Sequence, residues 1–432
     1  MKNKIVAVAL CVLMTAGVLA GCGTGSEEGG SETGSDEGKV TLEILSLKTE
    51  EGPQAAFQEM FDNYTKEHPE VTFDIQSMSS DDLKTTLRAR SASGDMPDII
   101  TWMKEVETDF MVDLSGEDFL NNINQDTLEG ANAIYDEGTY AMPIDNGYIG
   151  LYYNKDVLEE NGLSAPTTYD ELVNCCETLQ ANGVTPFAIS LSDLSVPYNS
   201  LIGLFAETVF GQNPNWIEER DNGEHLIVDD PGWKTAFDIV KNVIYKYGDP
   251  DNAYNQTGDD CAAMLVNGEA AFYGNGSWSL SSIREVGPDA NIGLMAFPVS
   301  DNPDDAKLLC FPDTALSICA DSDNIDEAKD FLAYVSSEEA GQIWSENVKV
   351  SSAVNNVNVD YDPIASDIDA YLSGGNFTPY GDRVLRSVFT DKLWEIYSYY
   401  MLGETDWDSL ASELDTYWDK AQEEEASTET AE

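Results

Sequence analysis

Short apolar strands alternate with amphipathic helices near the start of the folded part of the chain. Residues 40–44 alternate apolar and polar side chains, which is the pattern of a half-buried strand. Residues 57–64 repeat large apolar side chains at i, i+3, i+4 and i+7, which predicts one buried helical face. A second strand at 71–75, a second helix at 81–93 and a third strand at 96–102 follow. This β-α-β-α-β order predicts an α/β fold in which helices cover a mostly parallel sheet.

Later segments extend the same alternation through a chain of 432 residues, of which 42% are hydrophobic. That length is sufficient for two domains, each with its own core. Further amphipathic helices are predicted around 168–179, 233–244, 325–335 and 407–421.

Both ends of the chain differ in composition from the part between them. Residues 1–21 join two lysines to an apolar run too short for a durable membrane span, so we expect an export signal. The tetrapeptide that ends at Cys22 resembles the lipobox of bacterial lipoproteins, which implies that Cys22 becomes a lipidated N-terminus. Residues 22–38 are predicted to be the lipidated Cys22 and a flexible acidic tether, and residues 423–432 a disordered acidic tail.

Charge and side-chain chemistry exclude several classes of function. Removal of the signal would leave 20 basic and 80 acidic residues, a formal charge of −60 that repels nucleic acid and anionic lipid. Two histidines and an odd number of cysteines without CxxC spacing favour neither a metal site nor a disulfide framework. No nucleophile elbow, P-loop or dinucleotide fingerprint occurs, so we expect no cofactor, although paired carboxylates are too numerous to exclude glycoside hydrolysis.

Five segments together resemble one protein family. The longest, residues 140–172, contains "YYNKD" and a later "PTTYDEL", and residues 264–278 read "MLVNGEAAFYGNGSW". In this order and spacing the segments resemble the bacterial family 1 extracellular solute-binding proteins, the lipid-anchored, maltose-binding-protein-like sugar receptors of ABC importers. The remaining three segments are 91–102, 292–298 and 328–346.

The resemblance implies a two-lobed periplasmic-binding-protein-like fold of type II, with several strands crossing between the lobes. We expect an N-terminal lobe from residues 39–145 and 276–340, and a C-terminal lobe from residues 146–275 and 341–422. A ligand would lie in the cleft between the lobes and favour their closure by a hinge motion. The implied partners are a carbohydrate and the transmembrane subunits of an ABC permease, with the receptor a monomer anchored only by its lipid.

Aromatic rings suit the apolar face of a sugar, and polar side chains suit its hydroxyl groups. Trp278 matches the family position that commonly stacks on a sugar ring, although it could instead pack between the lobes. Trp344 either lines the cleft or packs its own helix, and Glu51 follows the first strand as either a ligand contact or an exposed residue. The full set of predicted ligand-binding residues is Trp278, Asp145, Trp102, Trp344, Glu51, Asp313 and Arg383.

Three functions fit this sequence. The first is an extracytoplasmic receptor that passes an oligosaccharide to a permease without chemical change. The second is a secreted carbohydrate-active enzyme, and the third is a receptor of the same fold that binds another solute or signals to a membrane kinase. The scarcity of basic residues favours a neutral sugar over a uronate or a phosphate.

Overall fold

Strands and helices alternate from Val40 to Glu429 in the computed structural model, which describes residues 39–102, 106, 108–135, 137–379 and 385–429. The predicted signal, the tether and Cys22 lie outside the described residues. The strands are β1 (Val40–Ser46), β2 (Val71–Ser77), β3 (Ile99–Thr101), β4 (Met142–Pro143), β5 (Asp145–Asn154), β6 (Thr185–Phe187), β7 (Ala270–Gly276), β8 (Ile292–Met295), β9 (Leu308–Pro312), β10 (Ala315–Ile318), β11 (Ser351–Ser352) and β12 (Phe377–Thr378).

Helices outnumber strands in the same residues. They are α1 (Glu51–Glu67), α2 (Ser80–Ser93), α3 (Gln125–Asn132), α4 (Lys155–Glu160), α5 (Tyr169–Ala181), α6 (Ser195–Phe205), α7 (Trp216–Asp221), α8 (Pro231–Ile239), α9 (Pro250–Ala253), α10 (Gly258–Val266), α11 (Ser279–Val286), α12 (Ile325–Val335), α13 (Glu338–Val348), α14 (Ala365–Gly374), α15 (Ser387–Leu402) and α16 (Trp407–Glu429).

The first sheet has the order β2-β1-β3-β10-β4. Strands β1, β2 and β3 are parallel, as predicted, and β10 runs antiparallel to both β3 and β4. Helix α1 covers this sheet with the predicted face, on which Phe57 and Phe61 are buried. Phe61 stacks on Phe73 of β2 with ring centroids 4.1 Å apart. We call this sheet and the helices packed on it the first lobe.

The second sheet, which defines the second lobe, has the order β12-β9-β5-β7-β6, and β8 and β11 also pair with β5. Strand β5 is antiparallel to β7, β8, β9 and β11, and only the outer pairs β6–β7 and β12–β9 are parallel. The α/β class is therefore confirmed, but the sheets are mixed rather than mostly parallel. Strand β5 lies in the second sheet, where the chain first enters the second lobe, and β10 lies in the first sheet, where the chain returns to the first lobe. Each of these strands is antiparallel to its neighbours.

Within the described residues, three chain crossings join the lobes. The first lies between Ile144, in the first-lobe core, and Asp145, which begins β5. The second consists of Asp313 and Thr314, between β9 of the second sheet and β10 of the first. The third lies between Val354 in the first-lobe core and Ile364 in the second lobe.

Two predicted lobe boundaries are wrong. The sequence predicts that the segment 276–312 belongs to the first lobe, but β8 and β9 pair with β5 of the second sheet. The chain turns back through α11 after β7 instead of crossing. Residues 341–350 are expected in the second lobe, but α13 packs on α1, and Val348 and Val350 are buried in the first-lobe core. Strand β11 then pairs with β5 at the junction, and Ala353 and Val354 return to the first-lobe core.

The C-terminal helix is longer than predicted. Helix α16 continues to Glu429, so residues 423–429, which the sequence predicts to be disordered, are helical. Four of these seven residues are glutamate, which has a high helix propensity and favours extension of the helix.

A buried ion pair fixes α16 to α7. The Arg220 guanidinium, with a side chain only 3% exposed, lies 3.2 Å from Asp415 Oδ1. The carboxylate of Asp415 also accepts backbone N–H bonds from Ile227 at 2.8 Å and Val228 at 3.1 Å. The side chain of Asp419, which is 62% exposed, forms a second ion pair with the same guanidinium, with Oδ1 2.8 Å from the arginine nitrogen.

We expect Asp415→Ala to lower the free energy of unfolding by about 3–5 kcal/mol, because it leaves two backbone donors without their acceptor and leaves the buried guanidinium with only an exposed carboxylate partner. Asp419→Ala is the matched control, since it removes an exposed partner of the same arginine and should cost at most about 1 kcal/mol. Urea denaturation followed by circular dichroism measures both, and equal losses would contradict this assignment.

Candidate ligand-binding site

The carboxylate of Asp145 connects two of the crossings. Its side chain has no exposed surface. Oδ1 accepts the backbone N–H of Thr314 at 2.7 Å, and Oδ2 accepts the indole N–H of Trp344 at 2.7 Å. The first residue of β5 is thereby bonded both to the second crossing and to α13 of the first lobe.

An ion pair spans the lobe boundary beside this carboxylate. Lys48, in the loop that follows β1, lies with Nζ 2.8 Å from Asp313 Oδ2. The two side chains are 14% and 10% exposed, so they are largely but not wholly enclosed. On the second-lobe side, a Cβ on Gly147 would lie only 2.6 Å from Asp313 Cβ, so glycine is needed for this approach.

Burial and neighbouring charge shift the ionisation of this cluster. Burial raises the pKa of Asp145 from 3.8 to about 6, and repulsion from Asp313 adds to the increase, while Lys48 opposes it. Burial alone would lower the pKa of Lys48, but attraction to Asp313 and Asp145 outweighs it and the pKa is raised. The cluster therefore holds one ammonium between carboxylates, an arrangement that can donate to and accept from hydroxyl groups.

Trp278 lies at the end of the segment that follows β7. It immediately precedes α11, and its side chain is half-buried against the second-lobe core. A Cβ on Gly276 would lie 2.3 Å from the indole, so the ring packs directly over the backbone of that glycine. The neighbouring Ser277 Oγ is buried and has no hydrogen-bond partner within the described part of the chain. Trp278 thus combines partial packing with partial exposure.

The other two predicted tryptophans are almost wholly buried. Trp344 is 1% exposed, and its ring packs edge-on against Phe57 with centroids 5.1 Å apart. Trp102 is 6% exposed, and its indole N–H donates to the Tyr135 hydroxyl at 2.6 Å. Neither ring has an open face for a ligand in this conformation, so the structure favours the packing alternative for Trp344.

The structure brings together only part of the predicted set. Asp145 and Asp313 lie in one cluster with Lys48, whereas Glu51 is an exposed residue in the first turn of α1. Arg383 lies outside the described residues.

The sequence interpretation missed Lys48 and Glu50. Both precede α1 in the loop after β1, and Glu50 Oε2 is buried without a hydrogen-bond partner among the described residues. Their position after the first strand could have indicated them as candidate ligand contacts, because loops at the carboxyl ends of strands carry ligand contacts in open α/β sheets. Within the described residues, no group of three or more His, Cys, Asp or Glu side chains is arranged to hold a metal ion.

A family model described as "Bacterial extracellular solute-binding protein" matches residues 48–342. The chain belongs to this family. The match begins in the loop after β1 and ends within α13, so it contains most strands of both sheets and the first two crossings of this solute-binding protein.

Individual relatives agree with the family. The "Multiple sugar-binding protein" of Streptococcus mutans serotype c is 27% identical over 324 residues, 71% of this chain and 73% of the relative. The "Melibiose/raffinose/stachyose-binding protein MelE" of Bacillus subtilis is 22% identical over 84% of each chain. The solved structure "SBP RafE in complex with raffinose" covers 89% of this chain and 100% of its own, with a TM-score of 0.75 and 21% identity.

None of the helices in the described ranges has the length and hydrophobicity needed to span a membrane.

The raised pKa of Asp145 predicts a specific pH dependence of stability. Because the folded protein binds this proton more tightly than the unfolded chain, protonation stabilises the fold, and this stabilisation is lost as pH rises through about 6. Relative to Asp145→Asn, which does not titrate, the wild type should therefore gain unfolding free energy between pH 7 and pH 4. Urea denaturation at four pH values measures the difference, and a constant or opposite difference would refute the assignment.

Proposed function

We propose that this solute-binding protein is the receptor of an ABC importer and captures a neutral oligosaccharide between its two lobes. The observation that carries the proposal is the cluster at the crossings, where Lys48 and Asp313 offer donors and acceptors for hydroxyl groups. Trp278, half-buried at the end of the β7 segment, offers an aromatic surface for the apolar face of a sugar. The relatives named for sugar binding support the same ligand class.

The charge of the cluster supports a neutral ligand. Lys48 is neutralised by Asp313, and Asp145 lies close enough to raise its pKa further. Glu50 adds another negative charge that acts on the same ammonium. A carboxylated or phosphorylated sugar would meet repulsion from these groups, whereas hydroxyl groups would meet both acceptors and a donor.

The proposal includes the cellular arrangement implied by the sequence. Cys22 would carry the lipid anchor on the outer face of the cell membrane, and residues 23–38 would tether a monomeric receptor near its permease. The ligand would be released unchanged, so the protein would bind oligosaccharides without catalysing their hydrolysis.

A thermal-shift screen of the purified protein tests the ligand class. Neutral tri- and tetrasaccharides should raise the melting temperature, because a ligand that binds only the folded state stabilises it. Uronates and sugar phosphates of matched size are the controls and should have little effect. Stabilisation by amino acids or polyamines alone would refute the carbohydrate proposal, and chromatographic detection of sugar cleavage would favour an enzyme.

Trp278→Ala tests the aromatic contact. We expect oligosaccharide affinity to fall about fivefold in isothermal titration calorimetry, because stacking contributes about 1 kcal/mol beyond the buried area. Trp278→Phe keeps a ring and should lose less. Both variants should lose less stability than the about 3–5 kcal/mol typical of a fully buried aromatic residue. A large loss of stability with unchanged affinity would instead identify Trp278 as a packing residue.

A further inference from the structure

The indole of Trp344 is held rigidly by the first lobe. Its ring is enclosed in the first-lobe core beside Phe57 of α1. Helices α1 and α13 are in close contact, because a Cβ on Gly52 would lie 2.7 Å from the backbone carbonyl oxygen of Asn347. The indole N–H therefore points from a fixed position.

Its acceptor belongs to the second lobe. Asp145 begins β5, which pairs with four other strands of the second sheet. The residue before Asp145 is also bonded to the chain at the other two crossings. The N–H of Ile144 donates to the Thr314 carbonyl at 2.9 Å, and the N–H of Ala353 donates to the Ile144 carbonyl at 3.0 Å. A rotation of β5 relative to the first lobe must therefore pivot at this residue or break one of its bonds.

The same carboxylate controls the polar cluster indirectly. It accepts the backbone N–H of Thr314, and the residue before Thr314, Asp313, forms the ion pair with Lys48. Asp313 lies against Gly147 of β5, two residues beyond Asp145. Displacement of Asp145 would therefore move the acceptor of Lys48. Both oxygens of Asp145 are occupied and its side chain is wholly buried, so it has no surface to offer a ligand.

We propose that the Trp344–Asp145 hydrogen bond is a positioning contact that sets the angle between the lobes, and thereby the affinity for the ligand, without touching the ligand. The part that concerns affinity rests on the proposed function. Asp145 and Trp344, both predicted from the sequence as ligand contacts, are thereby reassigned as positioning residues.

Trp344→Phe tests the inference because it removes the N–H donor and keeps an aromatic ring. The chain offers a closely matched control in Trp216, which is 2% exposed in the second-lobe core and whose indole N–H donates to Asp230 Oδ2, also at 2.7 Å. Trp216→Phe loses the same kind of hydrogen bond, but at a position that is distant in sequence from all of the crossings. We expect both substitutions to lower the melting temperature by a similar amount.

Only Trp344→Phe should change the geometry and the affinity. In small-angle X-ray scattering of the ligand-free protein, its radius of gyration should differ from the wild type, whereas that of Trp216→Phe should not. Its affinity for the best oligosaccharide from the screen should fall at least fivefold. The inference is overturned if both variants, or neither, change the scattering. Since scattering needs no ligand, this result stands even if no sugar binds and the proposed function fails.

Asp145→Asn provides a second test. Its amide could still accept from Thr314 but would present a donor to the indole N–H of Trp344, so it should lose the same contact. The double variant Asp145→Asn/Trp344→Phe should then bind the oligosaccharide no more weakly than the weaker-binding of the two single variants. Additive losses would mean that the two residues act separately and would refute the proposed contact.

The pH profile of affinity distinguishes positioning from simple stability. The charged groups that face Asp145 are Lys48 and Asp313, with Glu50 acting through Lys48. Wild-type affinity should fall as Asp145 is protonated below about pH 6. Because Trp344→Phe has already lost the contact, protonation of Asp145 should lower its affinity much less, whereas Trp216→Phe should keep the wild-type profile. Identical profiles for the two variants would contradict the inference.

Discussion

The arrangement of the two lobes depends on a buried carboxylate at their junction. Asp145 bonds the second crossing through Thr314 and a first-lobe helix through Trp344, while its own strand belongs to the second sheet. The backbone around it also bonds the second and third crossings. Since all three connections converge within a few residues, small changes there translate into rotation of whole lobes.

Local periodicity made much of the secondary structure predictable. The face of α1 that carries Phe57 and Phe61 is buried as its spacing indicates, because a helical repeat depends only on residues within a few turns. The lobe boundaries did not follow from such patterns. Whether the chain crosses after Gly276 depends on β8 and β9 pairing with β5, which are contacts distant in sequence.

The candidate site was predictable where position along the chain determines position in space. The segments that contain Asp145 and Asp313 predict ligand contacts at the crossings, and the two side chains do lie in one cluster there. Lys48 was missed because its importance comes from Asp313, 265 residues away. The role of Trp344 was also beyond the sequence, since a tryptophan at a helical spacing reveals packing but not the carboxylate that its N–H contacts.

A carboxylate is an expensive group to bury, and the raised pKa of Asp145 reflects that cost. An apolar residue of similar size would avoid the cost but could not accept the two N–H groups, which would then be left without this acceptor. Hydrogen bonds are also directional, whereas apolar contacts tolerate sliding. A receptor that responds to its ligand by changing the lobe angle needs a junction with a defined geometry. The Asp145 contacts supply that geometry at the expense of stability, which is the trade-off expected where conformational change is the function.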